Sequence, residues 1–487
     1  MSDVLQRQLL AVGQHFIGKQ KTRRVADWCY RTRFNIRRGC PAQVGNLMLI
    51  KDLGLVLTGW VIDESDPLES IRIIAGQQLA AGEAADWRVF RITDKILLRK
   101  FGLADSSLKP ALVALLPLES GIISALADEA DAAWQVVFEL QSGERVVRSR
   151  QPTISWRNPL ESIRQLLLSS PERAANKREL FDQIYGPALG HIWASRARST
   201  DRPVTKHYNE HLAPREPEVS VVIPIYGRYD FIEYQLSQFV DDPDMRRHEL
   251  LYVIDDPSIR SQVEQLANSI QHVYRMAFSI IYLPENLGFS GANNVGVQFA
   301  RSNRLLLMNS DIIPFESGWL GRLVATVSSA LESTITGVRL LYEDMSVQHD
   351  GMSFEKSQAH NGLWINRHPS KGIPANLVSK QQSCRPAEAV TGACLLLSRE
   401  NFVSLGGFDE AYILGDFEDS DLCLRARERG LEIQMLDSIV LCHLERQSQS
   451  LVSEDRWKQE LTYYNCWYHS SKWDSTITQL KAEVVCE

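Results

Sequence analysis

The sequence predicts an α/β protein whose larger part is built on a parallel sheet, preceded by an antiparallel β-sandwich and a helical connector. Three observations carry this. Short apolar runs alternate with amphipathic helical stretches over residues 216–447, the pattern of strands buried on both faces and joined by helices. Over residues 41–156 short β-rich runs follow one another with Gly, Asp, Ser and Pro turns between them. The composition, 44% hydrophobic and 23% charged, is that of an ordinary globular chain and excludes disorder and fibres.

The 487 residues allow roughly three units at about 150 residues each, every one large enough to bury a core without staples. With 53 Lys+Arg against 60 Asp+Glu, the formal charge of −7 argues against a nucleic-acid partner, which needs a dense positive surface. Any phosphate ligand must be small and held by local groups, among which a metal ion would supply charge. The eight cysteines (Cys29, Cys40, Cys384, Cys394, Cys423, Cys442, Cys466, Cys486) show no C-x-x-C pair and read as reduced, mostly buried thiols. MSDVLQRQLLAVGQHF lacks the pattern of a secretory signal, and no run reaches the ~18 apolar residues of a membrane span, so a cytoplasmic location is expected.

In order along the chain, residues 1–40 carry Arg7, Lys19, Lys21, Arg23, Arg24, Arg31, Arg33, Arg37 and Arg38 against Asp3 and Asp27, interleaved with Leu9, Leu10, Phe16, Ile17, Trp28 and Tyr30. This basic segment is either a peripheral contact to the anionic inner membrane surface or a solvated helix on the body. In 41–156 the runs LMLI, LVLTGWVI, SIRIIAG, WRVFRIT, ALVALL, WQVVFEL and ERVVRS read as the strands of the sandwich. Residues 157–215 form the connector: Leu160, Ile163, Leu166 and Leu167 make one apolar helical stripe, and a polar, proline-containing stretch closes it.

From 216 to 447 the strands are VSVVIPI (219–225), ELLYVID (249–255), FSIIYLP (278–284) and RLLLM (304–308). Helices carrying Ile232, Leu236, Phe239 and Val240, then Ile259, Val263, Leu266 and Ile270, separate the first three, and another opens near Ser290. Ligands of such sheets sit at the carboxyl ends of the strands. The tail 448–487, with Trp457, Tyr463, Tyr464, Trp467 and Tyr468, reads as helical and packed on the body.

Acidic groups stand at those ends: Asp255-Asp256 after the second strand, Asp311 after the fourth, and Glu418-Asp419-Ser420-Asp421 later. One such Asp is ordinarily a turn or capping residue. Three clusters at one sheet edge repel one another unless a cation or polar ligand lies among them. In Asn309-Ser310-Asp311 alternate side chains point to one side of an extended chain, which suits Mg²⁺ or Mn²⁺. Gly288, Gly291 and Gly296 of ENLGFSGANNVGVQFA do not give G-x-G-x-x-G, which disfavours a nicotinamide cofactor.

Taken together, VSVVIPIYGR, VIDDPS, ENLGFSGANNVGV, LLLMNSD, AVTGACLLLSRE, LGGFDEAYILGDFEDSDLCLRARERGL and CHLE, in that order over about 216–447, resemble the family 2 glycosyltransferases, with the Rossmann-like GT-A fold, of bacterial surface-polysaccharide type. The resemblance implies a nucleotide-diphosphate sugar donor held by Pro224, Tyr226, Arg228, Asp255, Asp256, Asn286, Gly288, Asn309, Gly392 and Ala393. It implies Mn²⁺ or Mg²⁺ at Asp311 and His443, Asn309 replacing the first Asp of the family's D-x-D. Asp419 is implied as the catalytic base, with Glu418 in reserve, for inverting transfer to a saccharide or lipid-linked saccharide acceptor.

Other roles stay open at several positions. His443 can be an ordinary strand-end histidine, Asp419 or Ser420 a helix cap, and Glu418 the partner of an arginine. Pro257 departs from the family's small turn residue and is expected to reshape the nucleotide loop. The insertion from Tyr342 to Pro386, with His349, His360, Trp364 and His368, resembles a variable acceptor-side region whose histidines are expected at the surface. Two rivals remain: a sugar nucleotidyltransferase, disfavoured by the absence of a glycine-rich basic loop after the first strand, and an inactive carbohydrate-binding scaffold.

Overall fold

The computed structural model describes residues 42–62, 67–75, 78–80, 87–94, 97, 109–155, 158–171, 174, 176–379, 383–444 and 455–486. The basic segment 1–40 and its membrane-surface reading lie outside the described residues. The chain divides between Ala188 and Leu189 into two compact units, so the expected connector 157–215 is shared between them.

In the first unit the runs of alternating apolar residues become β1 (Ala42–Ile50), β2 (Gly54–Val61), β3 (Leu68–Ala75), β4 (Gln78–Ala80), β5 (Arg88–Ile92), β6 (Ala111–Pro117), β7 (Trp134–Leu140), β8 (Arg145–Arg150) and β9 (Thr153–Ser155). They form one sheet in the order β5-β6-β2-β1-β9 and a second in the order β4-β3-β7-β8. Leu47, Leu49, Leu55 and Leu57 of the first meet Ile71, Ile73, Val136 and Phe138 of the second in a common core, as a sandwich requires. The core set of β1 switches from Ala42 and Val44 to Leu47 and Leu49 because its register slips between Val44 and Asn46. One extra residue inverts the two-residue alternation. Behind the sandwich a helix over Pro159–Ser169, capped by Asn158 accepting from the Leu160 N–H at 2.9 Å, buries Ile163, Leu166 and Leu167.

The second unit holds β10 (Val204–Tyr208), β11 (Ser220–Ile225), β12 (Glu249–Ile254), β13 (Phe278–Tyr282), β14 (Arg304–Met308), β15 (Ile312–Pro314), β16 (Thr334–Leu341), β17 (Val347–His349), β18 (Ser353–Ser357), β19 (Leu363–Arg367), β20 (Arg385–Pro386), β21 (Cys394–Ser398) and β22 (Glu432–His443). The main sheet runs β10-β13-β12-β11-β14-β21-β16-β22-β15, with β17 beside β16 and β20 beside β22. The strands β13, β12, β11 and β14 are parallel, and β21 runs antiparallel to β14. This is the α/β sheet that the sequence predicts for this part of the chain. The polar stretch expected as linker contains β10, an edge strand antiparallel to β13 whose Tyr208 stacks on Phe278 at 4.9 Å between ring centres. An edge strand exposes one side to water, so polar residues do not betray it.

Val221, Ile223 and Ile225 of β11 face a core with the helices Phe231–Phe239, Arg260–Tyr274 and Trp319–Val327; Val222 faces the opposite core with the helices Gly288–Gln298 and Glu418–Glu428. Gly296 lets the helix Gly288–Gln298 close on the sheet: a Cβ there would stand 2.5 Å from Val222 Cγ1 and 2.8 Å from Val253 Cγ2. Connections leave β11 toward β12 on one side and β14 on the other, and the crevice opens at that switch point.

Candidate active site

Of the residues expected to hold the donor, Tyr226 and Asp255 follow β11 and β12, and Asn286 and Gly288 meet them there. Asp255 follows β12 with its N–H on the Ile225 carbonyl at 2.9 Å, and its Oδ1 accepts from the Leu287 N–H at 2.6 Å. Burial pushes the Asp255 carboxyl well above its usual range, against the opposing pull of the Leu287 and Gly288 N–H groups. Tyr226 is 45% exposed at the rim; burial of its ring side, then Asp256 and Asp255, raise its hydroxyl, which is hydrogen-bonded to Asn286. Asn286 Oδ1 in turn accepts from the Gly288 N–H at 2.9 Å. Gly288 needs to be glycine: its φ is +75°, and a Cβ would sit 3.0 Å from Leu414 Cα.

Other members of this set are engaged locally. Arg228 is paired with Asp230 at 2.6 Å and lies over the Phe231 ring. Asp256 Oδ1 accepts from the Ser258 N–H at 3.0 Å and hydroxyl at 2.6 Å, capping a one-turn helix over Pro257–Ile259. Pro257 therefore occupies a first helical position, where its missing N–H costs nothing. Pro224 is half-buried on β11 itself.

At the end of β14 the chain turns sharply. Asn309 N–H donates to the Ala393 carbonyl at 2.8 Å, and the buried Gln235 amide donates to the carbonyls of Asn309 and Ile312, both at 3.1 Å. The turn presents Asp311, and the pairing of Ile312 with His443 across β15 and β22 brings the late histidine opposite it. His443 Nε2 stands 3.2 Å from Asp311 Oδ1, both side chains being 11% exposed. His443 Nδ1 donates to Gln348 Oε1 at 2.6 Å, which holds the ring with Nε2 turned to Asp311, the support that ligating histidines usually have. Asn309 Oδ1 is buried without a partner.

These groups fit a divalent ion: a carboxylate, an imidazole held in place by Gln348 and an orphaned amide oxygen. Among the described residues no three His, Cys, Asp or Glu side chains gather as a metal cage. The rest of a coordination sphere would fall to water and donor phosphate, as Mg²⁺ and Mn²⁺ sites normally arrange.

The helix Glu418–Glu428 opens beside this turn. Asp419 Oδ2 accepts from the Gly392 N–H at 2.9 Å and Oδ1 from the Ser420 N–H at 2.7 Å. Burial raises the Asp419 carboxyl, partly offset by those two N–H groups. Glu418 is pushed well up by burial and by Asp419, and its Oε2 is buried with no partner. Neither Asp419 nor Ser420 caps the helix, whose N-cap is Phe417 without a side-chain cap bond. No arginine pairs with Glu418 among the described residues, so both structural roles considered for this pair are absent.

The approach to the helix is strained: φ is +64° at Leu414, +143° at Gly415, +76° at Asp416 and +74° at Phe417. Each non-glycine residue in this left-handed region costs roughly 1–2 kcal/mol. Gly392 ties the parts together, since a Cβ there would meet Asp419 Cβ and Phe289 Cε1, both at 3.3 Å. Its neighbour Ala393 receives Asn309, and Phe289 N–H donates to the Leu414 carbonyl at 3.1 Å. The turn Gly392-Ala393 thus touches Asn309 and Asp419 together.

The insertion departs from expectation. His349 is 1% exposed rather than at the surface, its Nδ1 3.1 Å from Nδ1 of His368, and burial drives it well below the usual histidine range. The His360 ring meets Ser357 Oγ at 2.9 Å, and Trp364 Nε1 donates to Asp474 at 2.9 Å. The tail packs as expected, with Trp457, Tyr463 and Tyr464 buried. Cys384, Cys394, Cys423, Cys442 and Cys466 are free thiols, and burial pushes Cys394, Cys423 and Cys466 up to about 12.

Comparison with known proteins gives a match to the family described as Glycosyl transferase family 2 over residues 220–384. Residues 220–384, about a third of the chain, are thus similar to glycosyltransferase family 2. This stretch overlaps at its end a match, over residues 375–469, to the family described as N-terminal domain of galactosyltransferase. The O-antigen biosynthesis protein RfbC of Myxococcus xanthus is 26% identical over 255 residues, 51% of this chain and 19% of RfbC. The low-salt glycan biosynthesis hexosyltransferase Agl10 of Haloferax volcanii is 25% identical over 161 residues, 32% of this chain and 48% of Agl10. The chain therefore spans between a fifth and a half of the length of these curated relatives. The crystal structure of GalNAc-T7 with UDP, GalNAc and Mn²⁺ is similar at TM-score 0.38 and 16% identity, covering 47% of this chain and 44% of that one.

Proposed function

We propose that the chain is an inverting, metal-dependent glycosyltransferase that moves one sugar from a nucleotide-diphosphate sugar to a saccharide acceptor, free or lipid-linked, in surface-polysaccharide or glycoconjugate synthesis. The observation that supports it is the convergence on Gly392-Ala393: Asp419 bonded to one N–H of this turn, and Asn309, next but one to Asp311, bonded to its carbonyl. The family 2 match and the biosynthetic names of RfbC and Agl10 support the same class. In this reading the reaction is cytoplasmic.

Asp255, Tyr226 and Asn286 orient base and ribose. Asp419 takes the proton of the acceptor hydroxyl as that oxygen bonds to the anomeric carbon. The bond from that carbon to the diphosphate oxygen breaks, its electron pair leaves on the diphosphate, and a single displacement inverts the configuration. A divalent ion held by Asp311, His443 and Asn309 would neutralise charge on the leaving diphosphate. Burial raises the Asp419 carboxyl above the usual aspartate range, which makes its carboxylate a stronger base than that of an exposed aspartate.

The test is thermal stability with uridine, thymidine and guanosine diphosphates, each with and without Mn²⁺. A ligand at about 100 times its Kd stabilises by roughly 2.7 kcal/mol. A Mn²⁺-dependent shift with one nucleotide, lost in Asp311→Ala, is expected. No shift with any nucleotide overturns the proposal in favour of a scaffold, and release of pyrophosphate instead of a nucleoside diphosphate favours a nucleotidyltransferase.

A further inference from the structure

The strained loop that delivers Glu418 and Asp419 is gripped by an element with no part in the proposed donor and metal contacts, the C-terminal helix Asp455–Cys486. Asn465, 0% exposed, spends its whole amide on that loop: Oδ1 accepts from the Ile413 N–H at 3.0 Å, and Nδ2 donates to the Ile413 carbonyl at 3.1 Å and to the Gly415 carbonyl. Thr462 Oγ1 donates to Asp416 Oδ2 at 2.7 Å. On the far side of the loop His469 Nε2 lies 3.1 Å from Ser420 Oγ, and Trp473 Nε1 donates to Asp421 Oδ1 at 2.8 Å.

The protons at Ser420 are determined by counting. Its single hydroxyl hydrogen goes to the Phe417 carbonyl at 3.1 Å, so its two lone pairs receive Asn366 Nδ2–H at 2.9 Å and His469 Nε2–H. Burial pushes His469 down to about 4, so near pH 7 its ring carries this proton as a neutral imidazole. Residues 462, 465, 469 and 473 follow one another at intervals of three and four, one stripe of a helix. Simple packing would need an apolar stripe here; this one is polar and each contact lands on Ile413, Gly415, Asp416, Ser420 or Asp421.

We propose that this stripe of the C-terminal helix is a clamp that holds residues 414–417 in their left-handed course and so places the Asp419 carboxylate, with Asn465 as the central positioning residue. The proposal rests on the reading of Asp419 as the base. Without the clamp the loop relaxes toward ordinary φ, and the helix start that carries Asp419 leaves the Gly392 N–H.

The experiment uses the full chain with a panel of UDP-, dTDP- and GDP-hexoses and water as acceptor, reading release of nucleoside diphosphate and, separately, donor binding by calorimetry. Asn465→Ala is expected to lower kcat by about 10²-fold, the usual penalty for a displaced catalytic group, with donor Kd unchanged. The acidic limb of its kcat profile should move to lower pH, because a carboxylate released toward water loses the burial that raises it. Thr462→Val, at an exposed position, is expected to lose part of kcat and Thr462→Ser to restore it. Thr478→Ala, whose hydroxyl bonds only to Asp474 O within its own helix, is expected to match the parent chain. Unchanged kcat and pH limb in Asn465→Ala, or an equal loss of donor affinity, overturns the clamp; if that variant does not fold, parent-like kcat in Thr462→Val does so. A parent chain that binds no donor of the panel overturns the transferase reading first, and the two failures are thereby distinguished.

Discussion

Asp419→Asn separates chemistry from binding and structure in one substitution. The carboxylate accepts two backbone bonds, from Gly392 at 2.9 Å and Ser420 at 2.7 Å. An asparagine side chain has one oxygen, so one of these N–H groups must face an NH₂. That leaves a buried donor unmatched at a cost of about 1–3 kcal/mol, or a fall in Tm of several degrees at the ~2–4 °C per kcal/mol of larger domains. Removing a general base costs about 10²–10⁴ in rate, roughly 2.7–5.4 kcal/mol of barrier. Nucleoside diphosphate release at saturating donor, donor Kd by calorimetry and Tm should be measured on the same preparation. The expected result is kcat lowered by about 10²–10⁴ with donor Kd unchanged, since Asp255, Asp311 and His443 are untouched. Retention of more than about a tenth of parental kcat refutes the base assignment, because no general base worth that factor would have been removed.

Two further outcomes follow from the surrounding contacts. Gln348→Leu removes the acceptor that holds His443 Nδ1–H at 2.6 Å, and the Mn²⁺ concentration for half-maximal donor-induced stabilisation should rise about 10–100-fold; an unchanged midpoint detaches Gln348 from the metal site. Glu418→Gln should raise stability at pH 7. The folded protein holds this carboxyl above its unfolded value, so the ionised form is the penalised one, by roughly 1.4 kcal/mol for each tenfold weakening of its acidity. Below the unfolded carboxylate range both chains are neutral there and the gain should vanish; a gain that persists in acid means its origin is packing.

Much of this was legible in the residues. VSVVIPI, ELLYVID, FSIIYLP and RLLLM are continuous apolar runs because their strands are covered on both faces, a demand that composition alone reveals. Asp255, Asp311 and Asp419 stood out because a carboxylate at a strand end or helix start is a local feature, and their order matches a family. Strand β10 was not legible, since at a sheet edge a polar residue is as acceptable as an apolar one. Nor were Gln348, Asn465 and His469, whose partners lie 95, 52 and 49 residues away in the chain.

By itself, then, the sequence determined which segments would be strands and helices and which chemical groups would stand at their ends, because hydrophobic periodicity and side-chain type act over a few residues. Only the tertiary structure decided what those groups mean to one another. The orientation of His443, the weakened acidity of Asp255, Glu418 and Asp419, and the left-handed course of Leu414–Phe417 all depend on burial and on partners brought in from distant segments. Desolvation and hydrogen bonding are properties of the assembled neighbourhood, and a linear pattern does not contain them.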